Sequence, residues 1–260
     1  MSRRVSVFGA GSIGSAVAHR LSECGVHVAL ADRDEAQQVV RYPAELIVLA
    51  LTHGLEVPTL LDELPAESTV VDLTTQSSES ALRCCERAVL RDLEYHGGGL
   101  TGGADQVNRG EAVLLLGPPL GNTDPLLALL GQVISFDDVR QAARAKIIHN
   151  AYLLLQQTLL TYFGEGGVGL EAEQVLTVLE TGTAGRSLGD SSVVRDLRSG
   201  APSSSYRARL ALKDIAEIRQ ELPGLPSPAR HIMDTLKDML ETVDPQSPFT
   251  TALIENFYDR

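Results

Sequence analysis

The sequence predicts an α/β protein, with an N-terminal doubly wound parallel sheet followed by an all-α C-terminal domain and a long interdomain helix. Three observations carry this reading. A glycine-rich run, Gly9-Ala10-Gly11-Ser12-Ile13-Gly14, follows a short β-branched segment and opens a helical pattern. Apolar runs of strand length then recur, with helical segments between them. Beyond about Asp138 the chain reads as helix wherever it reads as regular.

Taken in order, Val5 to Phe8 is β-branched and aromatic, as a buried strand requires, and the helix after the glycine run is traced by Ala16, Val17 and Leu21. A second strand, Val26 to Leu30, ends at Asp32. Leu46 to Leu51 and Thr69 to Leu73 are apolar enough for parallel strands covered on both faces. Another strand is expected at Ala112 to Leu116, bounded by Gly110 and Gly117-Pro118-Pro119. Gln141 to Phe163 has few helix breakers and reads as one long helix. Gly164 to Gly169 ends it, Gly200 to Ser205 reads as a loop, and the prolines between Leu222 and Pro228 separate the later helices. The expected domains are therefore 1–138 and 139–260.

Composition narrows the function classes. A chain of 260 residues, 43% apolar, has enough material for two cores. Its formal net charge of -12 argues against a nucleic-acid partner or an anionic membrane. Aromatic residues make up only 4% and Trp is absent, which argues against base stacking. No apolar stretch approaches the about 18 residues of a membrane span, and Gly9 and Gly11 interrupt the first apolar segment where a signal peptide would need continuity. Cys24, Cys84 and Cys85 are odd in number and lack metal-ligand spacing, so a cytoplasmic protein without a metal is expected.

The glycine run has a mechanical reading. Gly9 allows a tight turn out of the strand, Gly11 lets backbone approach a pyrophosphate, and Gly14 lets the helix pack closely. The N–H groups of Ser12, Ile13 and Gly14 at the helix start then face the phosphates. Asp32, at the end of the next strand, stands where a carboxylate bonds the adenosine ribose hydroxyls, completing a Rossmann-type dinucleotide site. A carboxylate there repels a 2′-phosphate and favours NAD. The adjacent Arg33 is a guanidinium able to hold that phosphate, which keeps NADP as the alternative.

Further motifs follow in order: Val71-Asp72-Leu73-Thr74-Thr75, Thr101-Gly102-Gly103 with Gly110 and Gly117 beyond it, Lys146-Ile147-Ile148-His149-Asn150, and Lys213-Asp214. Their order and spacing resemble the β-hydroxyacid dehydrogenase family, which includes 3-hydroxyisobutyrate dehydrogenase and 6-phosphogluconate dehydrogenase. The resemblance runs from Val5 to about Asp214. It implies an NAD(P)-dependent oxidoreductase moving a hydride between nicotinamide and a small 3-hydroxy acid, or the matching semialdehyde or ketone. It implies Lys146 as general acid and base, with Asn150 fixing the substrate oxygen or the lysine. It implies a substrate carboxylate at Thr101, Gly102 and Gly103, substrate contacts from Thr74 and Lys213, and cofactor contacts from Leu51, Thr52, Thr74 and Lys213. A homodimer formed through the helical domain is implied as well.

Taken alone, a Thr-Gly-Gly turn is an ordinary surface turn, and a lysine and an asparagine four apart are an ordinary solvated helix pair. The resemblance gives them chemistry. A lysine acting as base near neutral pH must lose some of its preference for charge, through burial or a nearby cation such as Lys213. His53, His96 and His149 have no assigned duty, and Ser203-Ser204-Ser205 has no nucleophile-elbow glycines.

Two departures stand out. Gly97-Gly98-Gly99 replaces the family's Asp-Ala-Pro, which predicts a more open or mobile pocket wall, and the strand-helix unit between Asp32 and Leu46 is shortened. The alternatives are an imine reductase, which shares this architecture but typically places another residue at the lysine position, a prephenate-dehydrogenase-like enzyme, and a non-catalytic nucleotide-sensing or scaffold protein.

Overall fold

The computed structural model describes residues 4–32, 44–120, 125–164, 170–181, 199, 206–224 and 227–258. Residue contacts divide the chain into two compact units, Met1–His149 and Asn150–Arg260. The first begins with β1 (Arg4–Phe8), α1 (Ser12–Glu23), β2 (His27–Ala31) and β3 (Leu46–Leu49). A short 3-10 turn (Gly54–Glu56) leads into α2 (Val57–Glu63), β4 (Thr69–Asp72) and α3 (Ser78–Leu90). It continues through β5 (Glu94–Thr101), α4 (Ala104–Arg109), β6 (Ala112–Gly117), α5 (Pro125–Ala128) and β7 (Gly131–Ser135). The long helix α6 (Val139–Gly164) starts in the first unit and ends in the second. In the second unit α7 (Ala172–Thr181), α8 (Ala208–Glu221), α9 (Ser227–Leu240) and α10 (Phe249–Tyr258) follow.

The strands form one seven-stranded sheet in the order β2-β1-β3-β4-β5-β6-β7. Strand residues alternate between two apolar layers. Val5, Val7, Leu46 and Val48 face the layer of Val17 and Leu21 from α1 and Val107 from α4, whereas Phe8, Ile47 and Leu49 face Val57, Leu61, Ala81 and Cys84. That double burial is why the strands read as unbroken apolar runs. Val139 and Ala143, from the first turns of α6, join the second layer, so the division between the units falls inside this helix rather than at its start.

Two strands were not legible in the sequence. β5 holds Gly97-Gly98-Gly99, a run of low strand propensity, yet it pairs with β4 on one side and β6 on the other. β7 is short, its Ile134 is exposed, and it adds in parallel to β6. The sheet also departs from all-parallel pairing, because β5 and β6 are antiparallel. The chain between Thr101 and Ala112 is shorter than the dozen or so residues of a parallel crossover, so β6 returns beside β5 in the opposite sense.

In the second unit α8, α9 and α10 pack on one another through Ala211, Ile215, Ile218, Leu236, Leu240, Phe249 and Leu253. The Tyr206 ring meets the Phe249 ring edge-on, centroids 5.5 Å apart. Arg33, the break at 165–169 and the loop at 200–205 lie outside the described residues, as does most of the segment between Asp32 and Leu46. Among the described residues no helix is long and apolar enough to cross a membrane.

Candidate functional site

The glycine run forms the turn from β1 into α1, and two of its glycines are required by close contact. Gly9 has φ 103°, a left-handed value, and a Cβ there would overlap the Ala50 carbonyl just after β3. A Cβ on Gly14 would overlap the Gly9 carbonyl, so α1 lies on its own entry turn as only glycine permits. Gly11 differs, because a Cβ there would meet nothing within 4 Å. It is the N-cap of α1 and has no side chain to accept from the following N–H groups. Ser12, Ile13 and Gly14 thus begin the helix with backbone donors and a positive dipole end beside open space. β1 has β2 on one side and β3 on the other, so this turn sits where the strand order reverses, the usual ligand crevice of such sheets. A pyrophosphate fits this cradle.

The other expected residues of the first unit gather at the same carboxyl edge. Asp32 follows the end of β2 and is exposed. Leu51 and Thr52 follow β3, and the Leu51 N–H donates to Thr74 Oγ1 beyond β4 (3.0 Å), tying the two strand ends together. Thr74 is buried, whereas Thr52 is exposed.

Beneath them lies a network that the sequence reading missed. Asp72, the fully buried last residue of β4, accepts from Tyr95 Oη (2.6 Å), Gln76 Nε2 (2.9 Å) and the Thr74 N–H (2.8 Å). Burial pushes the Asp72 carboxyl above the ordinary carboxylate range, and these bonds oppose that rise. Burial also raises Tyr95 well above an ordinary phenol, with the Asp72 charge adding to it. The buried Cys84 thiol, whose Sγ contacts Gln76 Oε1 at 3.5 Å, is pushed up to about 12 by burial and then by Asp72. Tyr95 reaches Asp72 because Gly97, directly opposite Asp72 in the sheet, leaves room for the ring; a Cβ on Gly97 would lie 2.8 Å from it. The signal was a tyrosine followed two residues later by glycine on the same face of a strand.

The triglycine run therefore does not form an open wall. Gly97, Gly98 and Gly99 are buried strand residues whose missing side chains are replaced by neighbours. Thr101 ends β5, Gly102 turns with φ 100°, and Gly103 precedes α4. The Gly103 N–H donates to Gln106 Oε1 (2.9 Å), so an anion at this turn competes with that side chain. His96 has a structural duty: its Nδ1 lies 2.8 Å from the Pro118 carbonyl, which can only accept, so Nδ1 carries the proton.

Lys146 and Asn150 stand one turn apart on α6, and both are buried. In the first unit the Lys146 stem lies against Gly99. In the second, Asn150 Nδ2 donates to Asp214 Oδ2 (3.1 Å), which also accepts from Tyr206 Oη (2.7 Å). Burial raises the Tyr206 hydroxyl well above its ordinary range, and the Asp214 charge adds to it. Lys213 Nζ is 4.0 Å from Asp214 Oδ1, a loose contact between neighbours in sequence. Among the described residues no group of three His, Cys, Asp or Glu side chains could hold a metal ion.

The fold so defined is a Rossmann-type sheet followed by a helical unit. The sequence matches no protein-family model and no curated protein, but the fold recurs among solved structures. Psf3 in complex with NADP+ and 2-OPP superposes with a TM-score of 0.84 at 21% identity, over 96% of this chain and 99% of that one. The 3-hydroxyisobutyrate dehydrogenase of Mycobacterium tuberculosis with L-serine gives 0.80 at 15% identity, over 98% and 99%. A reductive aminase from Aspergillus terreus with NADPH and ethyl levulinate gives 0.61 at 17% identity, over 99% and 100%. The chain thus has the fold shared by these dehydrogenases and reductases along nearly its whole length.

The Asp72 network generates a prediction. With its folded value raised, the carboxyl keeps its proton in the native state after the unfolded chain has lost it. The associated stability is complete below the ordinary carboxylate pKa and declines as pH rises through the raised value. Asp72→Asn lacks that decline, so the melting temperature of the variant relative to the parent rises as pH is taken from about 4 to about 8. A difference that is flat or falls over this range contradicts the assignment.

Proposed function

We propose that the chain is a nicotinamide-dinucleotide-dependent oxidoreductase acting on a small 3-hydroxy acid or the matching semialdehyde or ketone, with Lys146 as general acid and base. The observation that carries the reading is the position of Lys146. A buried lysine lies on β5 just before the Thr101-Gly102-Gly103 turn, in the same unit as the uncapped start of α1. Solved structures of the same fold support the class, since they are complexes with L-serine, 2-OPP, NADP+ and NADPH.

Each residue then has a task. The N–H groups of Ser12, Ile13 and Gly14 hold the pyrophosphate, and the bonded Leu51–Thr74 pair with Thr52 shapes the floor beside it. A bound nicotinamide supplies or accepts the hydride. In oxidation the neutral Lys146 amine takes the proton of the substrate hydroxyl; in reduction its ammonium returns that proton to the forming alkoxide oxygen. Thr101 and the N–H groups of Gly102 and Gly103 receive the substrate carboxylate, Gly103 by exchanging its bond to Gln106. Asn150, whose Nδ2 donates to Asp214, is assigned on the family resemblance to fixing the substrate oxygen or the lysine. Lys213 is assigned to the nicotinamide on the family resemblance alone.

The imine-reductase reading draws on the likeness to the Aspergillus terreus reductive aminase. Lys146 distinguishes the two. An absorbance screen of hydroxy acids, semialdehydes and cyclic imines, with both NADH and NADPH, identifies the substrate. With that substrate, Lys146→Ala lowers kcat by roughly two to four orders of magnitude and leaves dinucleotide affinity nearly unchanged. Near-normal turnover removes the acid/base role and favours the imine-reductase or non-catalytic reading.

Cofactor choice has two opposed indications. The Asp32 carboxylate disfavours a 2′-phosphate and so favours NAD, whereas Psf3 and the Aspergillus terreus reductive aminase carry NADP+ and NADPH. Charge fixes the direction of one change whichever dinucleotide binds better. Asp32→Asn shifts the affinity ratio toward NADPH by roughly two- to fivefold, the size of an exposed charge interaction. Fluorescence titration of parent and variant measures it, and an unchanged ratio shows that Asp32 does not face the ribose.

A homodimer through residues beyond Asp138 completes the proposal. Ile148 and Tyr152, one turn apart on α6, are large side chains left more than half exposed in the single chain, at 55% and 61%. Light scattering at micromolar concentration gives about twice the 27.9 kDa chain mass if the dimer forms; a value near the chain mass defeats it.

A further inference from the structure

Gly98 and Gly99 occupy consecutive positions in β5, and one face of α6 lies on both. A Cβ on Gly98 would overlap the Leu115 carbonyl and come within 2.6 Å of Ala142 Cβ. A Cβ on Gly99 would fall 2.8 Å from Lys146 Cγ and 3.3 Å from both Lys146 Cβ and Cδ. Ala142 and Lys146 are four apart on α6 and so project from one face of it. Gly99 also has φ 149°, a backbone conformation that side-chain-bearing residues rarely adopt. Two neighbouring glycines thus receive two successive turns of the helix.

The contact at Gly99 is made by the lysine stem from Cβ to Cδ. A lysine stem is flexible, and holding its amine at one point ordinarily costs much of its rotamer freedom. Packing Cβ, Cγ and Cδ on bare backbone removes much of that freedom before any ligand arrives, which is preorganisation of the amine. A Cβ on the Gly99 backbone as it stands would enter the space this stem uses, so the seat goes with the glycine at this position.

We infer that Gly98 and Gly99 form a seat for the Ala142–Lys146 face of α6, and that Gly99 is a positioning residue that sets the Lys146 amine. The inference rests on the proposed acid/base role of Lys146. Gly99 touches no reacting atom; it acts through the lysine stem.

The test compares Gly99→Ala, Ala142→Val, Lys146→Ala and Gly25→Ala in the full chain. Gly25 also has a left-handed φ of 80°, but a Cβ there meets nothing within 4 Å, so this variant controls for backbone strain alone. Ala142→Val enlarges the adjoining contact without adding strain at Gly99, and it keeps the test open if Gly99→Ala does not fold. The readouts are kcat, dinucleotide affinity by fluorescence, the pH profile of kcat, and the rate at which acetic anhydride labels Lys146, followed by peptide mass spectrometry. Labelling requires no turnover.

The expected result for Gly99→Ala is a loss of kcat of about tenfold to a hundredfold, as for a reacting group misplaced by about 1 Å. Dinucleotide affinity stays within about twofold, the pH profile moves, and the Lys146 labelling rate changes by about threefold or more. Ala142→Val gives changes of the same sign, and Gly25→Ala matches the parent. Folded Gly99→Ala or Ala142→Val protein with parent-like labelling and turnover overturns the seat. If Lys146→Ala retains turnover while Gly99→Ala still alters labelling, the acid/base reading fails and the seat stands.

Discussion

Two helices of the first unit, α1 and α6, pack where a side chain is missing. α1 rests on the Gly9 carbonyl through Gly14, and the Gly9 turn rests on Ala50 at the end of the neighbouring strand. On the far side of the strand-order reversal, α6 rests on Gly98 and Gly99 through Ala142 and Lys146. Each contact brings backbone or a lysine stem closer than any Cβ would allow. The consequences for function are direct. Close packing of α1 aims its first N–H groups at open space, and close packing of α6 sets a lysine on a central strand. Restoring side chains at these positions moves a whole helix, because packed interiors have no slack to absorb even a methyl group.

Buried carboxylates supply the second constraint, and they do so in the same way in both units. Asp72 takes a tyrosine hydroxyl and a glutamine amide, and Asp214 takes a tyrosine hydroxyl and an asparagine amide. A buried acid is unfavourable unless its lone pairs are satisfied, so each arrangement fixes its partners as firmly as they fix it. Through Thr74 the first bears on the strand ends that face the dinucleotide. Through Asn150 the second bears on the helix turn that carries the proposed chemistry. The opposing effects on Asp72, burial raising it and three donors lowering it, make its protonation a property of the fold rather than of the residue.

Much of the fold was legible because its causes are local. The runs that became β1, β3 and β4 are apolar on both faces, and the glycine run announces a turn between strand and helix. What stayed hidden depends on contacts distant in sequence. β5 is a strand because β4 and β6 flank it, although its three glycines have little strand propensity. The antiparallel β6 follows from a short connection whose direction local propensity does not encode. In the site, the motif residues of the first unit do gather at one edge, but the roles of Tyr95, Gln76 and Tyr206 were invisible. Tyr95 needs the emptiness of Gly97, and Tyr206 needs a carboxylate shared with Asn150 from a different helix.

The uncapped start of α1 and the lysine seated on β5 are proposed to serve one bound dinucleotide, and everything else in the proposed function depends on that spatial relation. A crystal structure of this chain with NADPH tests it most directly. The predicted result is a pyrophosphate against the N–H groups of Ser12, Ile13 and Gly14, with the nicotinamide ring lying toward Lys146. Density for the pyrophosphate away from that helix start, or a nicotinamide directed away from Lys146, would contradict it.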